Sequence, residues 1–302
     1  MLSFLPAPIL YFLSGFLLII NTAFWSSILI LGGVVKFALP FRFIQIPLSK
    51  LLDKCMYGWV CGNGLILKLT SNIEWDIQGL DGLDKNSWYL VFCNHISGFD
   101  IAAQTYVLRN HIPMLKFFLK RELLFVPFMG LGCWALNMPF MNRTSPQKLK
   151  KNPALRGKDL ETTRRSCEKF KSLPTSIMNY VEGSRFTEVK RQRQNSPYQH
   201  LLKPKSGGIA FALSAMGEQF DKVLNMTLVY PDEEQEVLKT ALSGKLKKVV
   251  VRIEAMPVPK IDAKEYMDNN QCRVEFQRWL NDIWAKKDEQ IEDILQQHSK
   301  DK

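Results

Sequence analysis

Two short segments of this chain carry side chains suited to acid–base and anion-binding chemistry. The first, Asn94-His95-Ile96-Ser97-Gly98-Phe99-Asp100, places a histidine and an aspartate five residues apart, directly after the apolar run 88–93. The second, Glu182-Gly183-Ser184-Arg185, follows another apolar run, 176–181. An imidazole held by a carboxylate can act as a general base. Glycine, a hydroxyl and a guanidinium together can hold an anion. The two segments therefore suggest an enzyme that acts on a phosphorylated alcohol.

A single histidine at the end of a strand most often has a structural role, but His95 has a carboxylate partner in reach. Asp100 can fix the tautomer of the imidazole and stabilise the imidazolium. The sequence contains no G-x-S-x-G motif, so neither Ser97 nor Ser184 lies in a known nucleophile context. We therefore expect the nucleophile to belong to the substrate and His95 to be its base.

The second segment, taken alone, is equally consistent with a plain turn after a strand. In a functional interpretation, Gly183 lets the backbone approach a ligand, Ser184 donates a hydrogen bond and Arg185 grips a phosphate. Arg143, at the end of an apolar run, is a candidate second phosphate contact, or else a solvated flank. Lys205 and the glycines after it precede a predicted helix, so they form a third anion-facing element or only a capped loop.

Composition narrows the classes of partner. The 302 residues have a formal charge of +11 and are 46% hydrophobic, which excludes a disordered chain. The basic side chains are scattered and show no nucleic-acid module, so an anionic lipid surface is the preferred partner. The six cysteines form no C-x-x-C pair and the four histidines no H-E-x-x-H motif. We expect neither a metal site nor a disulfide framework, as in a reducing compartment.

The N-terminus predicts a membrane anchor. Residues 1–35 contain no charged side chain, and the run 8–35 is long enough to cross a bilayer. No basic n-region or cleavage site is evident, so we expect the anchor to stay uncleaved. Basic residues follow it, which predicts that the remaining chain faces the cytoplasm. Pro40 and Pro47 are expected to end the helix and begin a connecting segment.

From about residue 70 the pattern is that of an α/β domain. Strands are predicted at 72–78, 88–93, 176–181, 223–230 and 248–255, and helices at 99–108, 160–171 and 208–216, with a C-terminal amphipathic helix. This alternation predicts a mixed, mostly parallel sheet flanked by helices. We assign residues 1–55 to the hydrophobic anchor and 56–302 to a catalytic domain.

The segment 123–141 is uncharged and would pass as a membrane span by hydropathy, but Pro127, Gly130, Gly132 and Pro139 make a poor straight helix. A crossing here would place His95 and Glu182 on opposite sides of the membrane. If both belong to one site, the segment must return to the side it left. We therefore interpret it as dipping into the membrane or lining a site for an acyl chain.

These elements, in this order, resemble the glycerolipid acyltransferase family, whose bacterial prototype makes phosphatidic acid from lysophosphatidic acid. His95 and Asp100 match its H-x4-D motif, which implies a catalytic base and its orienting acid. Residues 120–143 resemble the second block, which ends in a phosphate-contacting arginine, here Arg143. The third block, E-G-[ST]-R, implies that Glu182, Gly183, Ser184 and Arg185 bind the glycerol phosphate. Residues 205–210 and 223–230 resemble the fourth block, and the whole resemblance covers roughly residues 75–260.

Two departures leave the substrate open. The third block usually has Phe-Pro before the glutamate, where this chain has Tyr180-Val181, and Ser184 replaces the usual threonine. Phe186-Thr187 is similar to a branch of lysophospholipid acyltransferases, and the chain as a whole is similar to an acyltransferase paralogue of Gram-negative inner membranes.

The resemblance implies direct transfer of a fatty acyl group from a thioester to the sn-2 hydroxyl of 1-acylglycerol 3-phosphate. The donor would be acyl-CoA or the acyl carrier protein, used as a co-substrate and without a further cofactor or a metal. It implies a bacterial inner-membrane enzyme that faces the cytoplasm, with a membrane lysophospholipid and, as one candidate partner, acyl carrier protein, but no nucleic acid. The alternatives are another lysophospholipid, such as lysophosphatidylglycerol, or a catalytically silent, membrane-attached lipid-binding protein.

Overall fold

The computed structural model describes residues 4–141, 169–233, 236–260 and 269–300, together with Leu2 and Tyr266. Its strands are β1 Glu74–Gln78, β2 Tyr89–Cys93, β3 Leu115–Phe117, β4 Leu119–Lys120, β5 Phe140–Met141, β6 Ser176–Asn179, β7 Lys222–Val229 and β8 Lys248–Met256. Its α-helices are α1 Ala7–Ala38, α2 Arg42–Thr70, α3 Phe99–Leu108, α4 Met129–Ala135, α5 Glu188–Arg193, α6 Ser206–Met216, α7 Val237–Leu242 and α8 Asn270–Lys300.

Six strands form the central sheet in the order β1-β8-β7-β2-β6-β3. Neighbouring strands are parallel except β7 and β8, which are antiparallel. All five residues of the central strand β2 are buried. This explains its continuous apolar run, because a strand covered on both faces does not alternate. One buried cluster joins this sheet to α2, α3 and α7, and a second joins it to α6 and α8. The predicted fold class is confirmed.

The carboxyl ends of the parallel strands β2 and β6 are adjacent, because Tyr89 is in register with Ser176 and Phe92 with Asn179. The first predicted motif directly follows β2 and the second follows β6. Chain segments that leave neighbouring parallel strands emerge at the same edge of the sheet. The sheet alone therefore brings the two motifs together.

The segment after the first helix differs from its prediction. Pro40 separates α1 from α2 as expected, but Pro47 lies inside α2, in its second turn. A proline near the start of a helix removes only one early backbone bond, and packing of the rest of α2 along α1 outweighs this cost. The predicted connecting segment is thus a 29-residue helix. It continues without a break across residue 55, where the boundary between anchor and catalytic domain was predicted.

Helix α1 touches the rest of the chain at both of its ends. Near its start, Leu2 N–H donates to Leu69 O (2.7 Å) and the Leu10 side chain lies against Gly244. Near its end, the buried ammonium of Lys36 donates to Ala135 O (3.1 Å). Within the described residues, α1 is the one helix long and apolar enough to cross a membrane, judged by length and composition alone.

The two ends of the uncharged segment 123–141 lie side by side. Strand β4 precedes the segment and β5 forms its last two residues, and the two strands pair in parallel, with Leu119 opposite Phe140. Between them lie a 3-10 turn, Arg121–Phe125, and the short helix α4, which packs on α1. This arrangement is consistent with a segment that returns to the side from which it starts, which remains a prediction. The predicted helix at 160–171 lies largely outside the described residues.

Candidate active site

The turn between β2 and α3 holds His95 against Asp100. His95 Nδ1 lies 2.7 Å from Asp100 Oδ2, and Asp100 is fully buried in the first turn of α3. The imidazole itself remains 16% exposed. When Nδ1 carries the proton donated to the carboxylate, Nε2 keeps its lone pair and can accept a proton from a substrate. The predicted pair of base and orienting acid is therefore present in the geometry such a pair requires.

Asp100 accepts from three further donors that hold its carboxylate in place. The backbone N–H groups of Ile96 and Ser97 donate to Oδ2 at 2.7 and 3.0 Å, and the Tyr230 hydroxyl donates to Oδ1 at 2.8 Å. Burial, and then the charge of Asp100, keep the pKa of Tyr230 well above its usual value. Tyr230 thus stays a donor. The carboxylate can neither rotate nor move away from His95.

Tyr180 stacks on the imidazole of His95. The ring centroids are 3.9 Å apart at an interplanar angle of 16°. The Tyr180 hydroxyl donates to Gln104 Oε1 of α3 at 3.0 Å. Burial raises the pKa of Tyr180 well above its usual value, so this hydroxyl remains protonated. Tyr180, which stands where the third block usually has phenylalanine, therefore keeps an aromatic ring that limits movement of His95.

The turn after β6 approaches His95 through the backbone. Gly183 has φ +74°, a conformation that other residues rarely adopt, and its N–H donates to Tyr180 O at 2.9 Å. Directly after the turn sequence, Phe186 N–H donates to His95 O at 2.6 Å. Gly183, Ser184 and the exposed Arg185 line the same cavity as His95. The two motifs that sequence analysis linked thus form one site.

This cavity has a volume of about 760 Å³ and two chemically different regions. Around the Gly183–Arg185 turn it is polar and cationic, lined also by Lys120 and Lys190. The other region is apolar, formed by residues of α1, of α2 and of segment 117–138, including Trp25, Leu29, Met56, Phe117, Leu123, Met129 and Met138. A cavity of this kind fits a molecule with an anionic head and a hydrocarbon chain.

Glu182 does not take part in this lining, contrary to its predicted role in phosphate binding. Its side chain is fully buried, and the groups that act on it include Trp284 and Lys287 of α8. Burial raises the pKa of Glu182 to about 8, and the charge of Lys287 and the N–H groups of Leu202 and His95 only partly oppose this. A carboxyl group beside a phosphate would also repel it when ionised. Glu182 is thus a buried support of the turn, whereas Gly183, Ser184 and Arg185 face the cavity.

Other cations were only partly anticipated. The Lys205 ammonium, just before α6, lies next to Gly183, 3.3 Å from where a Cβ would stand, but Lys205 is not among the residues that line the cavity. Lys190 donates to Arg185 O at 2.8 Å. Lys190 lies in the first turn of α5, shortly after the third block, and this closeness in sequence could have indicated that it belongs to the site. Arg143 lies outside the described residues.

Neither the nearby Cys93 thiol nor a metal cluster competes with this arrangement in the described residues. Burial raises the pKa of the Cys93 thiol to about 12, so it is not a thiolate at neutral pH. No group of three or more His, Cys, Asp or Glu side chains stands close enough there to hold a metal. The site defines a class of protein: an α/β enzyme with a histidine–aspartate base and a cationic turn at one end of an amphiphilic cavity.

Comparison with known proteins identifies the family. The model of the Acyltransferase family matches residues 74–231, more than half of the chain. The chain therefore belongs to the acyltransferase family, in agreement with the O-acyltransferase class that the sequence predicts.

Two curated relatives and one solved structure are similar to this chain. The 1-acyl-sn-glycerol-3-phosphate acyltransferase delta of Mus musculus is 24% identical over 215 residues, 66% of this chain and 51% of the relative. The 2-acyl-1-lysophosphatidylinositol acyltransferase of Saccharomyces cerevisiae is 26% identical, over 58% of this chain and 52% of the relative. The chain thus spans about half the length of these relatives.

The crystal structure of the 1-acyl-sn-glycerophosphate (LPA) acyltransferase PlsC from Thermotoga maritima matches 95% of both chains, with a TM-score of 0.53 and 16% identity. At this identity the match shows the fold alone. The fold it shows is the mixed sheet flanked by helices described above.

Proposed function

We propose that this chain transfers a fatty acyl group from a thioester, acyl-CoA or acyl carrier protein, to the sn-2 hydroxyl of 1-acylglycerol 3-phosphate, giving phosphatidic acid. One observation carries the proposal: the His95–Asp100 pair opens into the same cavity as the Gly183–Arg185 turn. A base and a cationic turn at one end of an apolar cavity match a lysolipid with one free hydroxyl, one phosphate and one chain.

In this mechanism His95 Nε2 takes the proton of the sn-2 hydroxyl, and the resulting alkoxide attacks the thioester carbonyl. A C–O bond forms, the C–S bond breaks, and the proton on His95 passes to the leaving thiolate. Asp100 stabilises the imidazolium that exists between the two transfers. Ser184 and Arg185 hold the phosphate so that the hydroxyl lies beside His95. No acyl-enzyme is formed.

The apolar surface supports binding of this substrate from a membrane. Outward side chains of α1 are large and exposed, among them Phe12 (74%), Phe16 (60%) and Phe37 (79%). The surface continues onto α4, because the Phe37 and Trp134 rings are 6.4 Å apart, and Phe125 is 81% exposed. Exposed apolar surfaces of this extent mark sites of membrane interaction.

The contacts at both ends of α1 support a position different from the predicted crossing. A helix that crossed the bilayer would leave the catalytic body at one end, whereas α1 contacts that body near Leu10 and near Lys36. We therefore propose that α1 lies in the plane of one leaflet. Residues of α1 line the apolar part of the cavity, so a lysolipid can pass from the leaflet to His95 without entering water. Thioester donors are cytoplasmic, so that leaflet would be the cytoplasmic one.

A second substrate remains a candidate because one of the similar curated proteins is named a lysophosphatidylinositol acyltransferase. The test is an assay of the purified full-length chain against 1-acylglycerol 3-phosphate, lysophosphatidylglycerol and lysophosphatidylinositol, each with acyl-CoA and with acyl carrier protein as donor. The proposal expects the highest kcat/KM for 1-acylglycerol 3-phosphate. Preference for another lysophospholipid would reassign the substrate, and inactivity on all three would reject the proposal.

A further inference from the structure

The C-terminal helix α8 lies wholly beyond the part of the chain matched by the family model, yet two of its side chains reach the interior behind the active-site turn. Trp284 is fully buried, and Lys287, one turn further on, is 2% exposed. The Lys287 ammonium donates to Met226 O of β7 and lies 4.9 Å from the Trp284 ring centroid. A buried ammonium is costly unless an opposite charge is near.

The acidic groups that act on Lys287 are few. Burial lowers the pKa of Lys287 to about 8, and the groups that oppose this are Cys93, Glu182 and Glu254. The Cys93 thiol is neutral up to about pH 12. Glu254 is exposed and accepts from Asn225 Nδ2 at 3.2 Å. Among the described residues, Glu182 is therefore the buried carboxyl group whose charge raises the pKa of Lys287.

Helix α8 supplies part of the polar surroundings of Glu182, in addition to the backbone N–H groups of Leu202 and His95. In the described part of the chain, neither of its carboxyl oxygens forms a full hydrogen bond, and neither does the Trp284 indole N–H. That N–H nonetheless lies close enough to lower the pKa of Glu182. Helix α8 also fixes the loop beside it, because the N–H groups of Gln199 and His200 donate to the Asp288 carboxylate at 2.7 and 2.8 Å.

We infer that Lys287 and Trp284 are positioning residues, which hold the Glu182 carboxyl from behind and thereby place the Gly183–Arg185 turn at the cavity. Through these two residues, the C-terminal helix α8 would help to form the active site. This inference rests on the proposed function, because it concerns how the turn binds the lysolipid phosphate.

The experiment compares Lys287→Met with Lys286→Met in the full-length enzyme, measuring kcat and KM for 1-acylglycerol 3-phosphate and for acyl-CoA. Lys286 is the exposed neighbour on the same helix and serves as the matched control. Coupled buried residues interact strongly enough to change an equilibrium by about fivefold or more. We expect Lys287→Met to raise the KM for the lysolipid at least about fivefold, with a smaller change in kcat and none in the KM for acyl-CoA. Trp284→Phe, which removes the N–H together with part of the ring, should raise the same KM as well.

Two further readouts separate positioning from a general loss of structure. Lys287 lowers the pKa of Glu182, so in Lys287→Met this carboxyl group loses its proton only above about pH 8. The rise in KM of Lys287→Met should therefore grow above about pH 8, where Glu182 is ionised with no cation beside it, whereas Lys286→Met should show no such trend. In that range the double variant Glu182→Gln/Lys287→Met should have a lower KM than Lys287→Met alone, because no buried charge is left unpaired.

Equal kinetics of Lys287→Met and Lys286→Met would overturn the inference while leaving the proposed function intact. An inactive wild-type enzyme would reject the proposed function itself. If Lys287→Met does not fold, the inference still requires that the double variant fold and match Glu182→Gln in kinetics. A double variant as defective as Lys287→Met would overturn it.

Discussion

Replacement of Asp100 by asparagine separates the charge of this side chain from its geometry. Among the described residues, Oδ2 receives three donors, from His95 Nδ1 and from the N–H groups of Ile96 and Ser97, whereas Oδ1 receives only the Tyr230 hydroxyl. An amide nitrogen cannot occupy the position of Oδ2, because it would then face three hydrogen-bond donors. In Asp100→Asn the amide oxygen must therefore take it, and the nitrogen faces Tyr230, whose hydroxyl can rotate to accept. His95 keeps its tautomer and orientation, and only the negative charge is lost.

The magnitude follows from the distance between the two charges. The hydrogen-bonded atoms are 2.7 Å apart, which places the centres of imidazolium and carboxylate about 4 Å apart; at an effective dielectric constant of about 20 they attract by about 4 kcal/mol. This attraction exists only while His95 is protonated, so it acts on the transition state and not on the substrate complex. At about 1.4 kcal/mol per tenfold, kcat should fall about 10³-fold with little change in KM.

The assay is steady-state kinetics of purified Asp100→Asn with 1-acylglycerol 3-phosphate and acyl-CoA. Tyr230→Phe is the matched control, because it removes one neutral donor from the same carboxylate and should lower kcat only by about tenfold or less. A fall of less than about tenfold in Asp100→Asn would refute the argument that the Asp100 charge stabilises the imidazolium. A large rise in KM would refute the claim that geometry is preserved.

Three further predictions concern other parts of the account. Arg185→Ala should raise the KM for the lysolipid by about 10- to 100-fold, through loss of charge-assisted bonds, and change the KM for acyl-CoA little; an effect confined to acyl-CoA in two-substrate kinetics would reassign the residue. Burial raises the pKa of Glu182 to about 8 from 4.5, so the folded state holds this proton more tightly than the unfolded state does, and stability falls as the pH rises from 4.5 towards 8. In thermal unfolding, Glu182→Gln should therefore gain Tm relative to wild type between pH 5 and pH 8, and a constant difference would contradict this pKa. Cysteines introduced at Phe4 and at Asp84 should both react with an impermeant maleimide from the cytoplasmic side, whereas labelling from opposite sides would show that α1 crosses the bilayer.

The sheet and α3 followed from the sequence because their signals are local. A buried strand such as β2 shows an apolar run, and Phe99–Leu108 is observed with the bounds that were predicted. Pro47 misled the prediction of α2, since local propensity favours a break there and only the long contact with α1 outweighs it. Tertiary packing of this kind leaves no pattern in the segment itself.

Only the part of the site that depends on nearby residues in the chain could be predicted from the sequence. His95 and Asp100 are five residues apart, so their contact could be inferred, whereas Tyr230 reaches Asp100 across 130 residues. Glu182 is buried near Trp284 and Lys287 of α8, about 100 residues further along the chain. The four residues of the motif do not indicate this burial. Contacts between residues far apart in the chain could not be predicted from the sequence, whereas the meeting of two motifs at the ends of adjacent strands could.

The central claim is that His95 deprotonates the sn-2 hydroxyl of a lysophospholipid bound by the Gly183–Arg185 turn. The direct measurement is single-turnover transfer of a labelled acyl group from acyl-CoA to 1-acylglycerol 3-phosphate by wild type and by His95→Ala, with equal amounts of folded protein. The account predicts labelled phosphatidic acid from wild type and a rate about 10²–10⁴-fold lower for His95→Ala. A His95→Ala enzyme that forms phosphatidic acid at near wild-type rate would contradict it.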